Sequence, residues 1–168
     1  PAEPCCAVAQ HACREALRAM HELRRSAIVA QTVDVLIALV GDIERYPEFV
    51  PGCESAQILE RSGEEIVARL GVRRGSLTTS FTTRNRLMGN QTLHMRLVDG
   101  PFKHFEGYWH FRPLTGGSSE IELQLSYQFS NPLKRAILQP LFAGIAEQMV
   151  RAFVQRAQSS ASLPDRHG

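Results

Sequence analysis

Residues 105–129, FEGYWHFRPLTGGSSEIELQLSYQF, decide the fold class. Phe105, Gly107, Trp109 and Phe111 take every second position of the first half, and Ile121, Leu123, Leu125, Tyr127 and Phe129 do the same in the second. Alternation with period two marks a strand with one face buried and one face wet. Between the halves, Thr115-Gly116-Gly117-Ser118 supplies the residues a hairpin turn needs. Matching the two inward faces across this turn sets Arg112 opposite Glu120 and His110 opposite Glu122. Opposite charges then meet on the outer face, which supports the register.

The same parity extends upstream. Ile66, Ala68, Leu70 and Val72 share a face, as do Leu77, Thr79, Phe81 and Thr83, and then Leu93, Met95 and Leu97. A less regular strand at about 53–60 precedes them, and residues 23–31 read as a first strand. Turn signals at Arg74-Gly75, Gly89-Asn90 and Asp99-Gly100-Pro101 join the stretches into a meander of hairpins. The hairpin at Gly75 sets Glu65 near Arg84. Arg84, Arg86, His94 and Arg96 then form a basic stripe on the outer face of two adjacent strands.

Helices flank the meander. Thr32 offers a hydroxyl N-cap to a short apolar helix ending at Gly41, and Asp42 can cap a second short turn. That turn is predicted to stop at Tyr46, because Pro47 disfavours helical backbone in the residue before it. YPEFVPGC, residues 46–53, becomes a rigid aromatic connection whose Tyr46, Phe49 and Val50 must pack over something. After Asn131, a good N-cap, and Pro132, allowed in a first turn, a long helix is predicted to about Gln158. Leu138, Leu141, Phe142, Ile145, Met149 and Phe153 form its apolar stripe. Pro140 predicts a kink or break near Gln139. Together these elements predict an α+β domain in which a curved antiparallel sheet of about seven strands wraps around a long C-terminal helix.

A chain of 168 residues, 43% of them hydrophobic, has room for one ordinary core. The domain is expected at 20–158, with residues 1–19 a disordered or non-native extension and 159–168 a flexible tail. No apolar run approaches the roughly 20 residues that span a bilayer. Cys5, Cys6, Cys13 and Cys53 lack the spacing of a disulfide framework, and Cys5, Cys6, His11 and Cys13 lack paired metal-ligand spacing. No metal is expected, and the cytoplasm, with peripheral contact to the inner membrane, is the expected location. The net charge is +2, and Lys103 and Lys134 are the only lysines among many arginines. So weak a net charge gives little nonspecific pull towards nucleic acid, and DNA is not an expected partner.

Catalysis needs an acid, base or nucleophile aimed into a sheltered pocket. The polar residues that parity turns inward are Thr79, Thr83, Asn85 and Tyr127, whereas His94, His104 and His110 fall outward. Cys53 has no base nearby in sequence and reads as a small buried thiol. No enzyme activity is expected. A neutral, oily interior with a few polar side chains suits a hydrophobic ligand and equally describes a plain core. The candidate ligand-binding residues are Tyr46, Phe49, Thr79, Phe81, Asn85, Met95, Trp109, Phe111, Tyr127, Phe142 and Met149. Arg84, Arg86 and Arg96 are the candidate nucleic-acid contacts.

GDIERYPEFVPGC (41–53), SFTTRNRL (80–87), LVDGPFKHFEGYWHF (97–111) and QMVRAFVQRA (148–157), in this order and spacing, resemble the coenzyme Q-binding START-like (polyketide cyclase/dehydrase-like) family, in its bacterial RatA branch. The resemblance covers nearly everything from Met20 to Ala157 and implies a helix-grip fold with a lipid-sized cavity. Eukaryotic members are implicated in handling ubiquinone for respiration, and the bacterial branch is described as blocking association of ribosomal subunits. Two residues depart from the pattern: Gly52 stands where coenzyme Q-binding members often carry tryptophan, and Ile37 replaces a frequent aromatic. Two functions follow as expectations. One is non-enzymatic binding of ubiquinone or a related polyprenyl lipid, with no other cofactor; the alternative is a toxin that binds the ribosome.

Overall fold

The protein is described from a computed structural model, which covers Gln10, residues 12–15 and residues 19–161. Gln10 and residues 12–15 are helical and exposed. The rest of the expected 1–19 extension, the cysteines Cys5 and Cys6 with His11, and residues 162–168 of the expected tail lie outside the described residues.

The strands are β1 (His21–Val29), β2 (Cys53–Ser62), β3 (Glu65–Arg74), β4 (Leu77–Met88), β5 (Thr92–Asp99), β6 (Phe102–Pro113) and β7 (Ser119–Phe129). They form one antiparallel sheet in the order β1-β7-β6-β5-β4-β3-β2. The predicted meander is therefore present, with the first strand folded back to pair with the last. Register follows the charge argument: Arg112 faces Glu120 and His110 faces Glu122. Glu65 lies opposite Arg86 and reaches diagonally to Arg84 at 2.8 Å. Burial in β7 alternates strictly along the strand, as parity requires.

Three helices complete the fold: α1 (Val33–Gly41), α2 (Tyr46–Phe49) and α3 (Pro132–Ala161), with a 3₁₀ turn at Ile43–Arg45 before α2. The predicted hydroxyl and carboxylate caps are not used, since neither Thr32 nor Asp42 makes a side-chain cap hydrogen bond. Asn131 does cap α3, accepting from the Lys134 amide at 2.8 Å. YPEF is a helical turn rather than a rigid connection. Tyr46 holds helical backbone (φ −54°, ψ −38°) despite the proline that follows it. Its ring is buried and its hydroxyl donates to the Val40 carbonyl, and this tertiary anchor outweighs the local preference. Pro140 does not break α3, which runs through it and keeps Leu138, Leu141, Phe142, Ile145, Val150 and Phe153 buried against the sheet.

Candidate functional site

The concave face of the sheet is a trough that α3 crosses, and aromatic side chains fill both ends of the space between them. At one end Phe102, Phe105, Phe81, Tyr127 and Phe129 gather around Phe142, with ring centroids 4.7–6.5 Å apart. At the other, Phe153 packs edge-on against Trp109 (5.1 Å), Tyr46 (5.2 Å) and Phe49 (5.1 Å). Between the clusters lies a cavity of about 50 Å³. Space of that size holds a few water-sized molecules.

Seven of the predicted ligand-binding residues line it: Tyr46, Phe81, Asn85, Met95, Trp109, Phe142 and Met149. The other four lie beyond its ends. Phe49 sits half-buried in an outer groove under the Arg156 guanidinium, 5.2 Å from the ring centroid. Phe111 closes the far end of β6 beside Ile37 and Gly41. Tyr127 stacks on His21 (5.3 Å) near the start of α3, and burial raises its pKa. Thr79 is half-buried opposite Val72, near the start of β4. The wall also uses Val50, Cys53, Leu93 and Ile145, which the sequence marks only as inward or buried, together with Ile43 and Ala146, which it does not single out. Gly107 on β6 lets the wall close, since a Cβ there would lie 2.6 Å from Met95 Cε and 2.7 Å from Leu125 Cδ2.

The lining of this space is almost wholly apolar. Among the described residues lining it there is no histidine, carboxylate, lysine or arginine. Cys53 Sγ points to the Ser55 carbonyl at 3.5 Å, and burial pushes its thiol up to about 11, which leaves it almost wholly protonated at neutral pH. Thr83 and Asn85 are buried, and Asn85 Oδ1 has no hydrogen-bond partner among the described residues. One histidine does turn inward. β1 begins two residues earlier than parity indicated, which brings His21 against Tyr127, away from the cavity. Burial and then the Arg135 charge lower its pKa.

On the outer face the basic stripe has the expected register, Arg84 opposite Arg96 and Arg86 opposite His94. Carboxylates offset part of it. Arg84 pairs with Glu65, and His94 Nε2 meets Glu106 Oε1 at 2.7 Å, which holds the Glu106 carboxyl below its usual range. His94, Tyr108 and His110 stack in a nearly parallel row, with centroids 4.5 and 5.8 Å apart. Arg86 and Arg96 have no carboxylate partner among the described residues. Among those residues there is also no group of three potential metal ligands, and no helix is long and apolar enough to cross a membrane.

The chain is 42% identical over 136 residues to the ribosome association toxin RatA of Pseudomonas aeruginosa, an alignment covering 81% of this chain and 94% of that one. It is 25% identical over 128 residues to a mitochondrial coenzyme Q-binding protein of Dictyostelium discoideum, covering 74% and 62% respectively. The fold matches the crystal structure of the Zhui aromatase/cyclase from Streptomyces sp. R1128 with a TM-score of 0.77 at 18% identity, over 87% of this chain and 98% of that one. Residues 29–154 carry the pattern of the family described as polyketide cyclase / dehydrase and lipid transport. Helix-grip architecture, an apolar hollow and this match over most of its length agree: the chain belongs to the polyketide cyclase / dehydrase and lipid transport family.

Proposed function

We propose that the protein binds a hydrophobic ligand, ubiquinone or a related polyprenyl lipid, in the cavity between α3 and the sheet, and holds it without chemical change. The carrying observation is Asn85, whose buried Oδ1 is left unpaired, among the described residues, at the wall of a mostly apolar space. Such a group costs about 1–3 kcal/mol when left unsatisfied. A ligand bearing polar atoms on an apolar body would satisfy it. The cavity is smaller than a quinone ring, so entry requires Met95, Met149 and Ile145 to move aside; the two methionines are flexible enough to do so cheaply. The test is mass spectrometry of an organic extract of purified protein beside the same extract from Met95→Trp, which fills the hollow. A polyprenyl lipid is expected in the first and not the second. Lipid-free extracts from both, with no thermal stabilisation by an added short-chain quinone, would refute the reading.

A second reading concerns the outer face. The names of relatives sharing 37–42% identity, ribosome association toxin RatA, together with the charges of Arg86 and Arg96, which have no carboxylate partner among the described residues, favour contact with the ribosome. Arginines free of carboxylates are suited to grip phosphate bidentately. Co-sedimentation with a ribosomal subunit at low salt is expected, and it should be lost when Arg84, Arg86 and Arg96 are all changed to glutamate. Sedimentation unchanged in that triple variant would rule this surface out. Interior and exterior are separate, so both activities fit one molecule.

A further inference from the structure

Ile145 is the side chain that separates the cavity from a cleft of about 270 Å³ on the surface, since it lines both. That cleft lies between α3, the segment leading into β2 and the end of β3, and its walls include Gly52, Arg73, Arg74, Gly144 and Gln148. Two of those residues present only backbone. Gly52 has φ +80°, and a Cβ there would lie 2.8 Å from Ile145 Cγ1, so the floor beneath Ile145 must stay bare. Gly144, one residue before Ile145 on α3, has its Cβ position 3.5 Å from Arg74 Nη1. The Arg74 guanidinium therefore lies against α3 one residue from Ile145, and both line the cleft.

The two arginines differ. Arg73 is engaged by Glu54 at 2.8 Å. Arg74 has no carboxylate partner among the described residues and donates one hydrogen bond, to the Pro140 carbonyl at 3.3 Å. A guanidinium has five N–H donors, so most of those of Arg74 remain available towards the cleft. The cavity also adjoins a second cleft, through Asn85 and Leu93, but that one carries both Arg61 and Glu64 and offers no excess charge.

We propose that the cleft at Arg74 is the vestibule of the cavity and that the ligand is an amphiphile with an anionic head, a carboxylate or a phosphate. Its head sits at Arg74 and its chain passes Ile145 into the hollow. This rests on the cavity-binding reading and narrows it, favouring an acidic or phosphorylated chain over a neutral quinone. Charge-assisted, forked hydrogen bonding by arginine is what selects such a head.

The experiment titrates the purified protein with parinaric acid, a fluorescent polyene fatty acid, and with its methyl ester. The acid is expected to bind about tenfold more tightly than the ester, a difference of one charge-assisted contact. Arg74→Gln should abolish that difference while leaving affinity for the ester unchanged. Ile145→Trp, which blocks the passage, should weaken both ligands, with melting temperature reporting that it is folded. Equal affinity for acid and ester in the unaltered protein overturns the head-group proposal and leaves the cavity reading standing, whereas binding of neither overturns both. Inorganic phosphate alone should not raise the melting temperature; a rise that Arg74→Gln removes would put a free anion at this site and overturn the proposal.

Discussion

Asn85→Leu separates a cavity that awaits a ligand from a core that merely contains an amide. Asn85 lies on β4 between Ile66 of β3 and Met95 of β5, is 6% exposed, and its Oδ1 has no partner. Removing an unsatisfied buried acceptor recovers about 1–3 kcal/mol, and the neighbouring hollow of about 50 Å³ gives the leucine methyls somewhere to go without overpacking. For a domain of this size each kcal/mol moves the melting temperature by about 2–4 °C. The ligand-free variant should therefore melt higher by about 2–12 °C. The same variant should bind the extracted ligand more weakly, because the unpaired polar group of the wall is gone. Thermal unfolding of delipidated protein, with and without ligand added back, reads both effects. If the ligand-free variant is instead destabilised by more than about 1 kcal/mol, Asn85 is satisfied in the folded protein and the argument from its unpaired oxygen collapses.

Trp109 is 1% exposed between Phe153 and the cavity, so Trp109→Ala should cost about 3–5 kcal/mol in urea unfolding as well as abolishing ligand retention. Cys53 should resist alkylation. A thiol raised from 9.0 to about 11 has about a hundredfold less thiolate at pH 8, and exposed Cys13 provides the internal comparison in a mass-mapped iodoacetamide time course. The same shift has a sign in stability. Its folded pKa is raised, so its contribution is complete below pH 9 and is lost as pH rises to about 11; the unfolding free energy of the unaltered protein should fall more steeply over that window than that of Cys53→Ala. Gly52→Ala should cost about 1–2 kcal/mol from the left-handed backbone alone, with more from Ile145, measured as a lowered urea midpoint.

Parity along the strands was enough to place residues on a face, to pair Arg112 with Glu120, and to exclude charged groups from the cavity wall. Depth along the trough is a different coordinate, and alternation carries no information about it. Phe111, Trp109, Phe105 and Tyr127 have the same inward parity, yet where α3 lies close the rings meet and fill the space, and only between the two clusters is room left. That depends on how Phe142 and Phe153, three turns apart on one helix, seat against the sheet, which is tertiary geometry. Local rules also yielded where a stronger anchor existed. The buried Tyr46 ring and its bond to Val40 hold helical backbone ahead of Pro47, and the helix passes Pro140 because its apolar face is gripped on both sides of that residue. The inward position of His21 is not legible in the sequence, because a strand end, unlike a strand centre, leaves too few alternating positions to fix its boundary.

The pairing of β1 with β7 has a price in time. Leu23 meets Leu125, so the amino-terminal strand has no partner until about a hundred further residues exist. At elongation rates of about 5–20 residues per second, that interval is roughly 5–20 s. During it, an unsatisfied ribbon containing Leu23, Ala27 and Val29 trails from the growing polypeptide, and the sheet closes through its most sequence-distant pair of strands. Newly made molecules should therefore depend on holdase protection at the very stage when their own translation is still under way.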